Sequence, residues 1–133
     1  MCLEMVYKKT PPKTGYFYKV FESLGTNLKF PFECQNARRG EWLESGGGNI
    51  YSDHWNDKYG WWIPYPRGFH GMTTLRGAKK FIKEYWAKGN TENLVILRVR
   101  YSGGHTAGRQ SGNCIVASKI YIPKNAKDLR KKK

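Results

Sequence analysis

The sequence predicts an α+β domain, with a small, mainly antiparallel sheet and one dominant amphipathic helix. Three observations support this fold class. Residues 16–22 are rich in aromatic and β-branched side chains, as strands are. Residues 74–88 carry apolar side chains at helical spacing. Residues 92–123 hold two further strand-like segments. Strands, then a helix, then two more strands is an α+β order.

The first half of the chain predicts an opening strand and several less regular segments. The opening strand is YFYKVFE, residues 16–22. Residues 28–34 predict a second strand, which Pro31 moves to a sheet edge or breaks. Residues 51–67 are irregular and unusually aromatic. They are either a functional surface or a packed cover over the sheet.

The helix is predicted at about residues 74–88. Thr73 or Thr74 suits the N-cap position, and Gly89 is a good C-terminal stop. One face of this helix is apolar and another is basic. The apolar positions are Leu75, Ala78, Phe81, Ile82 and Tyr85.

The closing segments predict two antiparallel strands, at residues 92–101 and 113–123. In the first of them, Arg98 and Arg100 project to the side opposite Val99, because side chains alternate along a strand. Residues 102–112 are glycine-rich and connect the two strands. Such a segment is either a long hairpin loop or a cradle for phosphate that also uses Arg109.

The chain divides into three parts on composition. Residues 1–15 predict a basic, proline-containing arm, residues 16–124 a single globular domain, and residues 125–133 a basic tail. Lysine-rich tails of this kind are typically solvated and become ordered against an anionic surface.

Composition excludes several functional classes. No segment approaches the roughly 18 apolar residues that a membrane span needs. The first 15 residues lack the apolar run of a signal peptide. We therefore expect a soluble, cytoplasmic protein without membrane contact. Three cysteines far apart in sequence fit neither a disulfide framework nor a paired zinc motif, and the three histidines are isolated. We expect no metal and no cofactor.

Charge is the strongest functional signal. Lysine and arginine total 24 against 10 acidic residues, a formal net charge of +14. Such a field attracts polyanions, so the predicted partner is nucleic acid or a nucleoprotein complex. Ordinary solvated basic faces, and core packing for the aromatics, are the alternative interpretations. The candidate contact residues are Arg38, Arg39, Trp61, Trp62, Arg76, Lys79, Lys80, Lys83, Arg98, Arg100 and Arg109.

His70 is the weak candidate for a catalytic residue. It stands just before the helix, whose positive end disfavours the charged imidazolium. A neutral histidine there would donate a hydrogen bond to a ligand or act as a general base. The alternative is a structural histidine that packs or caps.

Several short motifs together resemble a loosely defined group of small uncharacterised domains of bacterial and phage genomes. They are YKVF (18–21), GEW (40–42), GFH (68–70), the A-x-x-F helix and IVASKIYI (115–122). The resemblance covers residues 16–122 and implies an opening strand, a glycine–tryptophan turn, a GFH turn, a helix and a closing strand. It implies no activity.

A weaker resemblance runs to ADP-ribosyltransferase-like folds, where a GF-x-H-type segment also precedes a helix and a hydrophobic strand. Those enzymes commonly use a glutamate late in the chain. No acidic residue stands between Glu92 and Asp128 here.

The leading functional hypothesis is therefore a non-enzymatic protein that binds nucleic acid or a nucleoprotein complex through a cationic surface. A phage-type inhibitor or accessory factor is one version of it. A small enzyme acting on a nucleotide or nucleic acid, centred on His70 with Arg109 as anion holder, is the contrasting hypothesis. A protein–protein interaction module with aromatic anchors is the third. The sequence leaves the oligomeric state open.

Overall fold

The structure is a computed structural model that describes residues 3–25, 27–31, 36–51, 64–85 and 91–130. It confirms the α+β class, with one helix and a mostly antiparallel sheet in the described residues. The elements are β1 (Met5–Val6), β2 (Thr14–Leu24), β3 (Asn27–Lys29), β4 (Trp42–Glu44), β5 (Asn49–Tyr51), β6 (Pro64–Pro66), β7 (Phe69–Met72), α1 (Leu75–Tyr85), β8 (Leu94–Arg109) and β9 (Asn113–Tyr121).

Four strands, β2, β7, β9 and the long strand β8, close into a ring. Residues 94–102 of β8 pair with β2, and residues 100–109 pair with β9 along the other edge. Strand β7 lies between β2 and β9 and pairs with both. The short strands β1, β3 and β4 extend the outer edges, whereas β5 and β6 form a separate two-stranded sheet.

Two apolar clusters lie on the two faces of this ring. Because side chains alternate along each strand, one face encloses the first cluster and the other receives the helix. The inner cluster includes Phe17, Phe21, Leu97, Val99, Tyr101, Ala117 and Ile120. The outer cluster joins α1 to the sheet through Val20, Met72, Ala78, Phe81, Ile82, Ile96 and Val116.

The helix follows its sequence signals closely. Thr74 is the N-cap, since its Oγ1 accepts the N–H of Gly77 at 3.0 Å. Ala78, Phe81 and Ile82 of the predicted stripe are buried against the sheet, whereas Tyr85, at the last position of the helix, is exposed. Residues 86–88 of the predicted helix lie outside the described residues.

Two segments that we interpreted as connections are strands. The glycine-rich residues 102–109 continue β8, and only residues 110–112 turn. A Cβ at Gly104 or Gly108 would collide with the backbone carbonyl of Pro12 or Met5, so these glycines allow the N-terminal arm to lie against the strand. The predicted GFH turn likewise begins strand β7.

Both ends of the described chain are tied to β8. In the arm, Leu3 is fully buried and β1 pairs with the end of β8. In the tail, Leu129 N donates to Ile96 O at 2.9 Å, and Ile96 N donates to Asp128 Oδ1 at 3.0 Å. Since β9 begins to pair with β8 only at Arg100, the tail covers the edge that β9 leaves open.

Candidate functional site

Arg98 and Arg100 lie side by side on the outer face of β8. Leu94 and Ile96 precede them on that face and are buried in the outer cluster with the helix. Arg98 and Arg100 occupy the next two outward positions, which lie beyond that cluster, and both are exposed. Neither forms an ion pair with any residue that the structure describes. Arg98 and Arg100 therefore lie together on the outer side of the ring, exposed and on the face opposite Val99.

Each of these arginines lies over an aromatic ring of a neighbouring strand. The guanidinium carbon of Arg98 is 4.3 Å from the ring centroid of Tyr16 on β2. That of Arg100 is 5.6 Å from the Trp42 ring on β4. Both distances are within the range of cation–π attraction. Tyr16 and Trp42 are 53% and 43% exposed, so both rings still face solvent.

Register explains why these side chains meet. Tyr16 pairs with Arg100, Arg100 pairs with Tyr121, and Tyr121 pairs with Trp42, so the four positions cross β2, β8, β9 and β4 in one line. The Trp42 and Tyr121 rings are 5.6 Å apart. We call the set made of Tyr16, Trp42, Arg98, Arg100, Lys119 and Tyr121 the outer patch.

A groove adjoins the outer patch along β4. Its volume is about 900 Å³, and Trp42 forms part of its wall. Three cationic side chains line it, from Arg38, Arg67 and Lys119. One carboxylate, Glu44, also lines it and pairs with Lys119 at 3.3 Å. The described lining is thus cationic overall, with an apolar floor that includes Phe30 and Phe69.

The basic side chains of the helix lie on the same outer side of the ring as the patch, because α1 packs on that side. Four of them are exposed: Arg76, Lys79, Lys80 and Lys83. Lys80 pairs with Glu84 at 3.7 Å, an exposed contact that contributes little to stability. These cations add to the potential on this side without touching the outer patch in any recorded contact.

Of the remaining predicted contact residues, Arg109 and Arg39 lie away from the outer patch, whereas Arg38 lines the adjoining groove. Arg109 stands at the far end of β8, nine residues beyond Arg100 and thus ~25–30 Å away along the strand. Arg39 donates to the carbonyls of Pro123 and Ala126 at 3.3 and 3.0 Å, so it fastens the start of the tail. Arg38 pairs with Glu41 at 2.8 Å.

Within the aromatic segment at residues 51–67, Tyr65 is the one aromatic residue whose side chain the structure describes. Trp61 and Trp62 lie outside the described residues. Tyr65 is buried in the outer cluster. The exposed rings come instead from Tyr16 and Trp42, which sequence reasoning did not single out.

His70 is buried, and both of its ring nitrogens lie within hydrogen-bond distance of groups of the protein. Its Nδ1 lies 3.2 Å from the carbonyl oxygen of Gly68, which only accepts, so Nδ1 carries the proton. Nε2 then accepts from the Tyr65 hydroxyl at 2.9 Å. Burial, and secondarily the Lys19 ammonium, lowers the pKa of His70 to about 3. Lys19 itself is buried and donates to the His70 carbonyl at 2.8 Å.

This arrangement favours the packing interpretation of His70. Both ring nitrogens are engaged within the protein, and the imidazole is held neutral. His70 does line a cavity of about 120 Å³, together with Lys19, Phe30 and Met72. None of the described residues that line this cavity has a carboxylate, so no aspartate or glutamate lies beside the histidine there.

Part of the outer patch could have been found from the sequence. Tyr16 alternates with Phe17, and Lys119 and Tyr121 flank Ile120, so a period of two places these residues on the solvent side. That period does not say which outward residues of different strands become neighbours. Pairing register does, and it follows from contacts far apart in sequence.

Neither a membrane span nor a metal centre is found in the described part of the chain. No helix there has the length and apolar character to cross a bilayer. No group of three His, Cys, Asp or Glu side chains there is placed to hold a metal ion. Comparison of the chain with protein-family models, with curated proteins and with solved structures found no match.

Proposed function

We propose that this protein binds nucleic acid through the outer patch. The observation that carries the proposal is the pair Arg98 and Arg100, exposed on adjacent outward positions without carboxylate partners among the described residues. Two arginines held apart from acids in this way present ten N–H donors to phosphate oxygens.

The surroundings of this pair support the same function. The chain carries a net charge of +14, and the exposed helix cations lie on the same side of the sheet as the arginines. Glu44, the carboxylate beside the patch, is already paired with Lys119. A field of this sign draws polyanions toward the surface and raises the rate of encounter.

A nucleoprotein complex presents the same phosphates, so the inhibitor or accessory role suggested by the sequence is a narrower form of this proposal. The resemblance to small bacterial and phage domains stays a prediction, and the function does not depend on it. An enzyme centred on His70 gains no support from the contacts of that residue.

The test is oligonucleotide binding measured by fluorescence anisotropy from about 50 to 200 mM salt. We expect Arg98→Ala/Arg100→Ala to weaken binding at least about tenfold. Removing two phosphate contacts should also lower the salt slope by ~1.4–1.8, depending on the strandedness of the probe. The matched control is Lys8→Ala/Lys9→Ala, which removes the same charge from exposed arm positions.

Two results would contradict the proposal. In the first, the arm variant loses as much affinity as the arginine variant, which means that binding follows net charge and not the patch. In the second, no oligonucleotide binds at low salt, while the arginine variant loses affinity for a protein partner. His70→Gln should leave oligonucleotide binding unchanged. A turnover that this variant abolishes while binding persists would favour the His70-centred hypothesis.

A further inference from the structure

The line Tyr16–Arg100–Tyr121–Trp42 crosses four neighbouring strands at right angles to their direction. With strands about 4.8 Å apart, three spacings make this row ~14 Å long. Sheets that bind unpaired RNA use exposed aromatic residues of this kind to stack two or three bases. The row therefore has the length and the chemistry of a base-stacking platform.

The exposure of the two outer rings is the second observation. Tyr16 and Trp42 stand at opposite ends of the row with about half of each side chain in solvent. A duplex presents its phosphates to a flat protein surface and keeps its bases stacked inside, so it would make no use of these rings. An unpaired base offers a π-face to each of them.

The arginines are the third observation. Arg98 lies against Tyr16, and Arg100 lies between Tyr16 and Trp42 in the row. A guanidinium group held over a ring can stack on a base with its plane while its N–H groups reach a phosphate. Cation and ring thus act on the base and on the backbone of the same nucleotide.

Resting on the proposed function, we propose that the outer patch selects single-stranded nucleic acid, whose unpaired bases stack on Tyr16 and Trp42 while Arg98 and Arg100 hold the phosphates. The adjoining groove continues this surface past Trp42. Its cationic wall of Arg38, Arg67 and Lys119 suits the sugar–phosphate backbone of a strand that leaves the row.

The experiment compares a labelled single strand of about 12 nucleotides, a usual site size, with a hairpin duplex of matched composition. The wild-type protein should prefer the single strand. Tyr16→Leu and Trp42→Leu should each weaken single-strand binding at least about fivefold, following the usual strength of base–aromatic stacking. Duplex binding should change less than twofold, because leucine keeps the apolar bulk and the charges remain.

Tyr7→Leu is the matched control. Tyr7 is exposed like Tyr16, but it lies against the far end of β8, where its N–H donates to Ala107 O. It should leave both affinities unchanged. Thermal unfolding of each variant checks folding, and Trp42→Phe, which keeps a ring on the edge strand, should recover most of the single-strand affinity.

The outcomes separate this inference from the proposed function. If the wild-type protein binds duplex as tightly as single strand, or if the ring variants behave like Tyr7→Leu, strand selection is overturned while arginine-dependent binding stands. If no nucleic acid binds at low salt, both proposals fail. If the Tyr16 and Trp42 variants lose single-strand affinity and Tyr7→Leu does not, the stacking role is supported.

Discussion

Arg98 reaches diagonally across the sheet to Tyr16, although its direct partner on β2 is Tyr18. The register pairs Tyr18 with Arg98 and Tyr16 with Arg100, yet the Arg98 guanidinium carbon lies 4.3 Å from the Tyr16 ring centroid. A diagonal pair of this kind is within reach of long and aromatic side chains. The contact holds the arginine head in place before any ligand arrives, which lowers the conformational entropy lost on binding.

Replacement of Arg98 by lysine should separate charge from geometry. Arg98→Lys keeps the positive charge but replaces the planar guanidinium with a compact ammonium. We expect oligonucleotide affinity to fall about two- to fivefold, the value of an exposed cation–π contact, with an unchanged salt slope. Anisotropy titrations at several salt concentrations give both quantities. Arg76→Lys on the helix is the control, and an equal loss there would mean that the ring contact is irrelevant.

Gly71 should be irreplaceable while Phe17 keeps its ring. A Cβ at this buried position of β7 would collide with the ring of Phe17 in the inner cluster. We expect Gly71→Ala to lower the free energy of unfolding by ~1–3 kcal/mol, as overpacking of a core does. Chemical denaturation measures the loss. Gly47→Ala, where an added Cβ meets nothing within 4 Å, should cost far less.

The same collision predicts coupling between the two positions. Phe17→Ala removes the ring atoms that the new methyl group would meet, so the double variant should be more stable than the sum of the two single losses predicts. Strict additivity in this double-mutant cycle would show that Gly71 is required for another reason.

Acid should destabilise the protein partly through His70. Its pKa in the folded state, about 3, lies below the ordinary value of 6.5 because burial and the Lys19 ammonium disfavour the cation. The unfolded chain therefore binds the proton first. The stability that the neutral ring contributes is complete above about pH 6.5 and is lost as the pH falls toward 3.

The slope of this loss is at most about 1.4 kcal/mol per pH unit for one group. His70→Gln removes the titration, so its free energy of unfolding should fall less between pH 6.5 and 4 than that of the wild type. Denaturation midpoints at a series of pH values give the comparison. Parallel curves for the two proteins would show that His70 carries no part of the acid sensitivity.

Asp128 should stabilise the protein although it stands in the lysine-rich tail. Its Oδ1 accepts the N–H groups of Ile96 and Arg130 at 3.0 and 2.9 Å. Asp128→Ala leaves the Ile96 N–H without this acceptor on the edge of β8, which should cost ~1–3 kcal/mol. Thermal unfolding measures the change. Lys127→Ala, an exposed neighbour, is the control and should change the stability little. An equal loss in both variants would show that the hydrogen bonds of Asp128 are not the cause.

Local signals were enough to predict the elements whose causes are local. Thr74 caps the helix through a bond to a residue three positions away, and the apolar stripe of α1 repeats within a single segment. The alternation of Arg98, Val99 and Arg100 was sufficient to place both arginines on the outer side of a strand. Each of these features depends on residues that are close together in the chain.

Elements with distant causes were not predicted. Strand β7 forms at the expected GFH turn because its neighbours β2 and β9 supply its hydrogen-bond partners. Strand β8 runs through the glycine-rich residues because residues 100–109 pair with β9, and β1 pairs with the end of this segment. A short segment that is extended only because it pairs with two neighbouring strands has no strong β-propensity of its own.

By itself, the sequence determined the α+β class, the helix and its cap, the surplus of positive charge and the outward direction of Arg98 and Arg100. Only the tertiary structure decided that Tyr16 and Trp42 become neighbours of those arginines and that Tyr65 lies in the core. The reason is that the alternation of side chains along each strand determines only on which face of the sheet a residue lies. Which outward residues touch is set by the register between strands, and closing the ring of β2, β7, β8 and β9 determines that register.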